Sequence, residues 1–295
     1  MAKGPTINAA AVRSSGGQAT EDSVSIQGWT IRSHHEPIIG DAEIESYKSM
    51  LGGVLNIPEI VFGNSYLRLV HERSGTCFSF NALDALKAWK EENLEPLQVD
   101  IAEEWQEARQ SEIQGHGAMQ LEYDWTFTTP YTGTLEGRSQ GNGNAVGPCP
   151  VEEFVECQDQ IDWGMLTSQD PILFYDSFTL YESELNDVGA CHLEVKVRCM
   201  PKCWFVLLRF WLRVDGSLVR LREARVFCRF DGAGSGGVVL RELRHSEGTF
   251  QELTAGGAPP EGPSYRDSDT TATVLQAVAP VGSKLVKREK LEICM

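Results

Sequence analysis

The feature that most constrains the fold is a run of three consecutive strand patterns between residues 193 and 230. From residue 193 to residue 199, apolar residues alternate with charged ones, which is typical of an antiparallel strand with one exposed face. Residues 204–214 are almost entirely apolar, as in a central strand covered on both faces. Asp215-Gly216 then leads into a third strand at 218–230, and Asp-Gly between two strand patterns is a strong hairpin signal. The pattern therefore predicts an antiparallel sheet.

The third of these strands contains a shift in phase. Val219 and Leu221 occupy odd positions, whereas the apolar residues that follow, Ala224 and Val226, occupy even ones. If all four face inward, the strand needs one extra residue between the two pairs. The sequence therefore predicts a β-bulge at residues 222–223, and bulges often redirect side chains where something binds.

Two arginines, Arg209 and Arg213, interrupt the apolar strand. A buried guanidinium needs a carboxylate partner, because an unpaired charge in an apolar environment is costly. Acidic residues of the chain itself could supply this partner, or one arginine could capture the carboxylate of a ligand. We favour internal pairing, and the sequence leaves both interpretations open.

The remaining pattern combines short helices with further strands. Residues 41–51 and 82–90 have helical spacing, and Asn81 is a suitable N-cap for the second of these helices. The other predicted elements are helices at 102–110 and 270–278 and strands at 59–70, 76–80, 125–129, 178–184 and 238–244. The predicted fold class is α+β, with a sandwich-like antiparallel β-sheet core and a few short flanking helices.

The order of these elements predicts one folded domain with less ordered ends. We expect a disordered N-terminal extension at 1–27 and a single α+β domain at 28–253, with a flexible Gly-rich loop at 137–150. A Gly- and Pro-rich segment at 254–269 is predicted to be disordered, and the C-terminal segment at 270–295 to contain a short helix.

The charge of the chain restricts its partners. The sequence has 42 acidic and 26 Lys and Arg residues, a net charge of −16, which opposes binding to nucleic acids and anionic membrane surfaces. The longest apolar run, residues 203–212, is broken by Arg209 and is too short to span a bilayer.

Eight cysteines without a secretory signal predict reduced thiols and a cytoplasmic location, with the nucleus as a second compartment. We expect a monomer.

No pattern in the sequence specifies a reaction. Gly232, Gly234 and Gly237 have the spacing of a dinucleotide fingerprint, but the predicted context is a hairpin tip rather than a strand followed by a helix. Cys199 and Cys203 could be imagined as metal ligands, although Cys199 belongs to the inward-facing set of its strand. We therefore expect no catalytic residue, no cofactor and no metal.

Aromatic residues beside acidic ones indicate protein binding instead. Partly exposed Trp and Tyr next to charged groups are typical of interface hot spots. The candidates for partner contacts on this ground are Trp105, Tyr123, Asp124 and Trp125. The alternative is a β-rich small-molecule-binding protein, or an enzyme of another type, with a pocket beneath Trp125.

Several long motifs, in this order along the chain, are similar to those of one known family. They are FNALDAL at 80–86, AEEWQEAR at 102–109, YDWTFTT at 123–129, RCMP at 198–201 and LLRFWLRVDG at 207–216. The similarity extends over roughly residues 29–244. With these motifs the chain resembles the TIPRL family of type 2A phosphatase regulators.

The resemblance implies a non-enzymatic protein of TOR signalling that uses no cofactor. It would bind the catalytic subunit of type 2A-like Ser/Thr phosphatases and recognise the C-terminal tail of that subunit. The family positions for phosphatase binding fall on Asp84, Ile161, Leu221, Glu223 and Leu243. Asp84 and Ile161 keep the family residue, Leu221 replaces Met and Glu223 replaces Asp. Leu243 replaces Tyr and so lacks a hydroxyl.

Overall fold

The computed structural model describes residues 6–8, 19–54, 56–97, 124–136, 153–230, 237–260, 262–278 and 284–293. Two antiparallel sheets dominate these residues, and short helices flank them. This arrangement confirms the predicted α+β class with a sandwich-like sheet core. The helices are α1 Asp41–Met50, α2 Ala82–Glu92, α3 Trp163–Leu166, α4 Phe250–Ala255 and α5 Ser268–Val278.

The smaller sheet has six strands in the order β1-β2-β3-β5-β6-β7. Its strands are β1 Thr6–Asn8, β2 Thr20–Ile26, β3 Trp29–His35, β5 Tyr66–His71, β6 Cys77–Asn81 and β7 Thr134–Glu136. β6 runs directly into α2. The side chain of Asn81 accepts a hydrogen bond from the backbone N–H of Asp84 at 2.9 Å, which confirms the predicted N-cap.

The larger sheet has eight strands in the order β4-β9-β10-β11-β12-β13-β14-β8. Its strands are β4 Ile60–Val61, β8 Val155–Glu156, β9 Phe174–Ser183, β10 Gly189–Met200, β11 Cys203–Val214, β12 Leu218–Arg229, β13 Val238–Thr249 and β14 Lys284–Glu292. β11 and β12 form the hairpin predicted from Asp215-Gly216, and Gly216 has a φ of +68° that glycine adopts without strain. The strands at both edges of this sheet contain only two residues each.

The main core lies between the two sheets. The even-numbered residues of β11 point into it, including Trp204, Leu208 and Phe210, all of which are buried. The ring of Trp204 meets that of Trp29, from the smaller sheet, edge to face with centroids 5.0 Å apart. We call the face of the eight-stranded sheet that points into this core its inner face.

The outer face of the eight-stranded sheet carries two smaller apolar clusters. One lies under α3 and contains Ile161 and Phe227. The other lies under α4, α5 and a 3-10 turn at Gly262–Tyr265, and contains Trp211 and Leu221. Both ends of the outer face are therefore covered by segments of the chain itself.

The predicted bulge at residues 222–223 is wrong. β11 and β12 pair without interruption from Cys203–Arg229 to Val214–Leu218. Val219 and Leu221 point to the outer face, whereas Ala224 and Val226 point to the inner face. Both faces of this strand are covered, so apolar residues occur in both phases and the change of phase has no structural counterpart.

Residues 125–129 form a turn and a loop rather than the predicted strand. The carboxylate of Asp124 accepts hydrogen bonds from the backbone N–H of Thr126 at 3.0 Å and of Thr128 at 3.1 Å. Phe127 adopts a φ of +54°. The side chain of Asp124 thus takes the place of strand pairing as the partner of this backbone.

Two segments are more ordered than the sequence predicts. Residues 20–26 form β2, where we expected part of a disordered extension. Within 254–269, also expected to be disordered, Tyr265 is fully buried and packs edge to face on Phe250. The predicted loop at 137–150 and the predicted helix at 102–110 lie outside the described residues. Of the helices in the described part of the chain, none is long and apolar enough to cross a membrane.

Candidate functional site

A cavity of about 240 Å³ opens beside the inner face of the eight-stranded sheet. Leu208 and Phe210 of β11 and Leu243 of β13 give it an apolar lining. The loop at 129–132 and Glu92, the last residue of α2, close the opposite side. The cavity therefore forms where α2, this loop and the middle of the large sheet meet.

Two basic side chains, those of Arg222 and His245, also line the cavity from neighbouring strands. The Nη1 of Arg222 donates to Oε2 of Glu92 at 2.7 Å. Arg244 borders the cavity as well, but its guanidinium belongs to the outer face, where Nη2 lies 3.5 Å from Oε2 of Glu242. An apolar lining beside a guanidinium and an imidazole suits a ligand with an apolar group next to a carboxylate.

Leu243 and Glu223 are the two predicted site residues that line this cavity. Leu243 is half-buried against the main core. The carboxylate of Glu223, by contrast, is held at the outer face, where it accepts from Nε of Arg209 at 2.8 Å and from Nη2 of Arg225 at 2.5 Å. Glu223 is 7% exposed, so an incoming partner would have to displace these contacts to reach the carboxylate.

Asp84 connects to the cavity through two side chains. Its Oδ2 accepts from the hydroxyl of Thr134 at 2.6 Å, and that hydroxyl lies 3.0 Å from the hydroxyl of Tyr131, which lines the cavity. Burial raises the pKa of Asp84, but hydrogen bonds from Thr134 and Asn81 and the charge of Lys87 outweigh burial and leave the pKa below its usual value. Asp84 is therefore a partly exposed anion fixed next to the cavity.

Leu221 and Ile161 are structural in the described chain. Leu221 is 4% exposed and packs in the cluster under α4 and α5. Ile161 is 3% exposed and packs under α3, with its backbone N–H pointing at Glu242. Neither side chain lines the cavity.

The aromatic candidates divide between the described and undescribed residues. Trp105 and Tyr123 lie outside the described residues. Trp125 is partly buried and donates from Nε1 to the carbonyl of Leu97 at 2.7 Å, while Asp124 is buried at the start of its loop. Neither residue lines the cavity, so the pocket described here is not the one imagined beneath Trp125.

The two strand arginines both have carboxylate partners within the chain. Arg209 pairs with Glu223 and also with Asp269 of α5, at 2.5 Å from Nη1 to Oδ1. Arg213 pairs with Asp215, at 2.7 Å from Nε to Oδ1. The prediction of internal pairing is confirmed.

Sequence reasoning missed Arg222, His245 and Glu92. A strict two-residue period through β12 would have placed Arg220 and Arg222 on the same face as Ala224 and Val226. A polar end to an otherwise apolar inner face is the signal of an opening between two sheets. The assumed bulge concealed that signal.

Candidate metal ligands do not assemble. Among the residues with described positions, no three His, Cys, Asp or Glu side chains are placed to share a metal ion. Cys199 is fully buried on the inner face, and burial raises its pKa to about 12. This thiol belongs to the core.

Comparison with known proteins places the chain among its relatives. The model of the TIP41-like family matches residues 60–254. A TIP41-like protein of Arabidopsis thaliana is 39% identical over 286 residues, which cover 93% of this chain and 95% of that protein. A TIP41-like protein of Homo sapiens is 33% identical over 267 residues, with 90% and 89% coverage. The type 2A phosphatase activator TIP41 of Saccharomyces cerevisiae is 33% identical over 247 residues, with 79% and 65% coverage.

These relatives span most of the chain, and the family model spans most of the described sheets, including β11, β12 and β13, which line the cavity. The resemblance to TIPRL proteins inferred from these motifs is thereby confirmed over most of the chain. The chain belongs to the TIP41-like family.

Proposed function

We propose that this protein is a non-enzymatic regulator that binds the catalytic subunit of type 2A-like Ser/Thr phosphatases in TOR signalling. Membership of the TIP41-like family supports this, as do two relatives named type 2A phosphatase activators, from Saccharomyces cerevisiae and Schizosaccharomyces pombe. Binding modulates the activity or the assembly of the phosphatase. The protein acts as a cytoplasmic monomer until it meets this partner.

The cavity is the observation that carries the proposal. Its volume of about 240 Å³ accommodates one or two side chains rather than a drug-sized molecule, since ligand pockets are typically about 300–1,000 Å³. We place the end of the phosphatase tail there, with an apolar side chain against the Leu208, Phe210 and Leu243 lining and the terminal carboxylate near Arg222 and His245. Asp84, in the first turn of α2 and linked to the cavity through Thr134 and Tyr131, faces the body of the phosphatase.

The test measures binding of the purified catalytic subunit, and of a synthetic peptide with its C-terminal sequence, to the full chain. Leu243→Asp puts a charged carboxylate into the apolar lining where the tail's apolar side chain is placed, and should weaken binding of the peptide at least tenfold. Val188→Asp is the matched control, because Val188 is an exposed apolar residue at the turn between β9 and β10. It should bind like the unmodified chain.

A second variant separates the tail from the rest of the interface. Asp84→Leu should weaken binding of the whole catalytic subunit more than binding of the peptide. If Leu243→Asp and Asp84→Leu both remain folded and both bind the catalytic subunit normally, the proposed placement is wrong. If the unmodified chain binds no phosphatase subunit, the proposed function itself is wrong.

A further inference from the structure

The middle of the outer face of the eight-stranded sheet is a trench between two covers. α3 packs on one end of this face, and α4 and α5 pack on the other. The floor between them consists of neighbouring side chains on β10 to β14, which we call the outer trench. Its residues are Lys196, Leu207, Arg225, Glu242, Arg244 and Arg288.

Each buried acid near the trench is shared by two cations. Glu223 contacts Arg209 and Arg225. Glu242, only 2% exposed, contacts Arg244 at 3.5 Å and Arg288 at 3.4 Å. These last two distances are long for charge-assisted hydrogen bonds, which are usually about 2.7–2.9 Å. One carboxylate therefore only partly satisfies two guanidiniums.

The outer trench and the charged side chains joined to it by ion pairs carry more positive than negative charge. Together they contain five cations and four carboxylates, which belong to Lys196, Arg209, Arg225, Arg244 and Arg288 and to Glu194, Glu223, Glu242 and Asp269. This excess occurs in a chain whose net charge is −16. Burial lowers the pKa of Arg225, and the nearby charges of Arg244 and Arg209 lower it further, against the opposing effect of Glu223.

Two guanidinium nitrogens in the trench make no hydrogen bond of good geometry within the described chain. They are the buried Nε atoms of Arg244 and Arg288, of which the second lies 3.4 Å from Oε1 of Glu242. Leaving a charged donor without a well-placed acceptor costs more than leaving a neutral one, so a further anionic oxygen beside the guanidinium groups of Arg244 and Arg288 would be favourable.

An exposed tryptophan stands beside the same cations. Trp163 of α3 is 43% exposed, and its ring centroid lies 5.3 Å from Cζ of Arg225 and 6.0 Å from the ring of Phe205. Exposed Trp next to Arg is the composition of a binding hot spot. Its position at the wall of the trench lets it cover the backbone of a bound chain.

We propose that the outer trench binds an acidic peptide segment of a protein partner, whose carboxylate or phosphate oxygens accept hydrogen bonds from Arg225, Arg244 and Arg288 while Trp163 packs on its backbone. This inference goes beyond the phosphatase proposal, because the trench lies on the opposite face of the sheet from the cavity. A membrane is a poorer occupant, because a flat anionic surface cannot enter between α3 and α5 and is repelled by the acidic remainder of the protein.

The experiment measures fluorescence anisotropy of labelled peptides with the full chain. One peptide is rich in Glu, a second has Gln at every Glu position, and a third carries phosphoserine at those positions. We expect the Glu and phosphoserine peptides to bind, the Gln peptide to bind at least tenfold more weakly, and added salt to weaken both acidic peptides. The ratio of the two acidic affinities distinguishes a carboxylate from a phosphate site.

Three variants locate the binding. Arg225→Gln and Arg288→Gln should each weaken the acidic peptides about tenfold, which is the loss of one charge-assisted hydrogen bond. Both should fold, because Arg209 and Arg244 remain to pair with Glu223 and Glu242. Trp163→Ala should weaken binding without changing the charge. Arg32→Gln is the matched control, since Arg32 is an exposed arginine of β3 on the other sheet.

Equal binding of the Glu and Gln peptides, or unchanged affinity in all three trench variants, overturns the proposal. Binding to phosphatidylserine vesicles in place of the acidic peptides overturns it as well and assigns the trench to a membrane. Leu243→Asp should leave acidic-peptide binding intact, so loss of the phosphatase interaction alone does not affect this result.

Discussion

Arg209 and Glu223 form a buried ion pair across the central hairpin of the large sheet. Nε and Nη2 of Arg209 lie 2.8 and 2.7 Å from the same oxygen, Oε1, of Glu223. The two residues are 6% and 7% exposed and face each other in the β11–β12 register. Removing only one partner of an ion pair with so little access to water is costly, because it leaves the other charge buried without its partner.

We therefore expect Arg209→Met to lower the free energy of unfolding by about 3 kcal/mol, because it deprives the buried carboxylate of one of its two cations. The double variant Arg209→Met, Glu223→Leu should recover part of this loss. Urea denaturation of the single and double variants measures both effects. Arg266→Met, which removes an exposed partner of Asp267, should change stability by no more than about 0.5 kcal/mol.

Leu221 lies in the cluster beneath α4 and α5, so its first role is in stability. Leu221→Ala should lower the free energy of unfolding by about 2–5 kcal/mol, as large-to-small core substitutions do. Leu275→Ala, which removes a buried residue of α5 from the same cluster, should have an effect of similar size. If Leu221→Ala left stability unchanged in urea denaturation, the described packing of the C-terminal helices on this face would be wrong.

Through Glu247, the free energy of unfolding should depend on pH. The imidazole of His245, whose Nε2 lies 3.6 Å from Oε2 of Glu247, and the ion pair with Arg220 outweigh burial and lower the pKa of Glu247 to about 2. A group whose folded pKa is depressed stabilises the fold above its unfolded pKa, and this contribution disappears as the pH falls towards the folded pKa. The stability difference between the unmodified chain and Glu247→Gln should therefore be largest near neutral pH and shrink between about pH 4.5 and pH 2. A difference that stays constant over this range would contradict the assignment.

Gly133 should not tolerate a side chain. Its φ is +97°, and a Cβ at this position would lie 2.6 Å from the ring of Phe80. Gly133→Ala should lower the free energy of unfolding by at least about 2 kcal/mol, through backbone strain and displacement of a core ring. Gly53 is a suitable control, because its φ is +79° and an added Cβ would meet nothing within 4 Å, so Gly53→Ala incurs the backbone strain alone. Thermal unfolding of the two variants compares them directly.

The sequence predicts those parts of the fold whose cause is local. The Asp215-Gly216 hairpin and the Asn81 cap depend on neighbouring residues, and both are present as predicted. The predicted phase of β12 is wrong because its outer face is covered by helices that come well after it in the chain. The predicted strand at 125–129 is wrong because one buried side chain, that of Asp124, replaces the strand hydrogen bonds.

The candidate site could be predicted only in part. A family resemblance pointed to Leu243 and Glu223, which line the cavity, and to Asp84 beside it. The cavity itself arises where Glu92, the loop at 129–132 and strands β11 to β13 meet, and these segments are far apart in the chain. Only the paired sheets bring them together, so no local pattern could show them as one site.

The two-residue strands β4 and β8 at the edges of the large sheet have a consequence for solubility. A long edge strand presents a row of unpaired N–H and C=O groups with which another chain can pair, and such pairing leads to aggregation. A very short edge strand presents few of these groups. β4 pairs with only Tyr181 and Glu182 of β9, and β8 pairs with only Glu289 and Lys290 of β14. Lengthening either end strand would give another chain a longer row of backbone groups to pair with, and we expect it to promote aggregation.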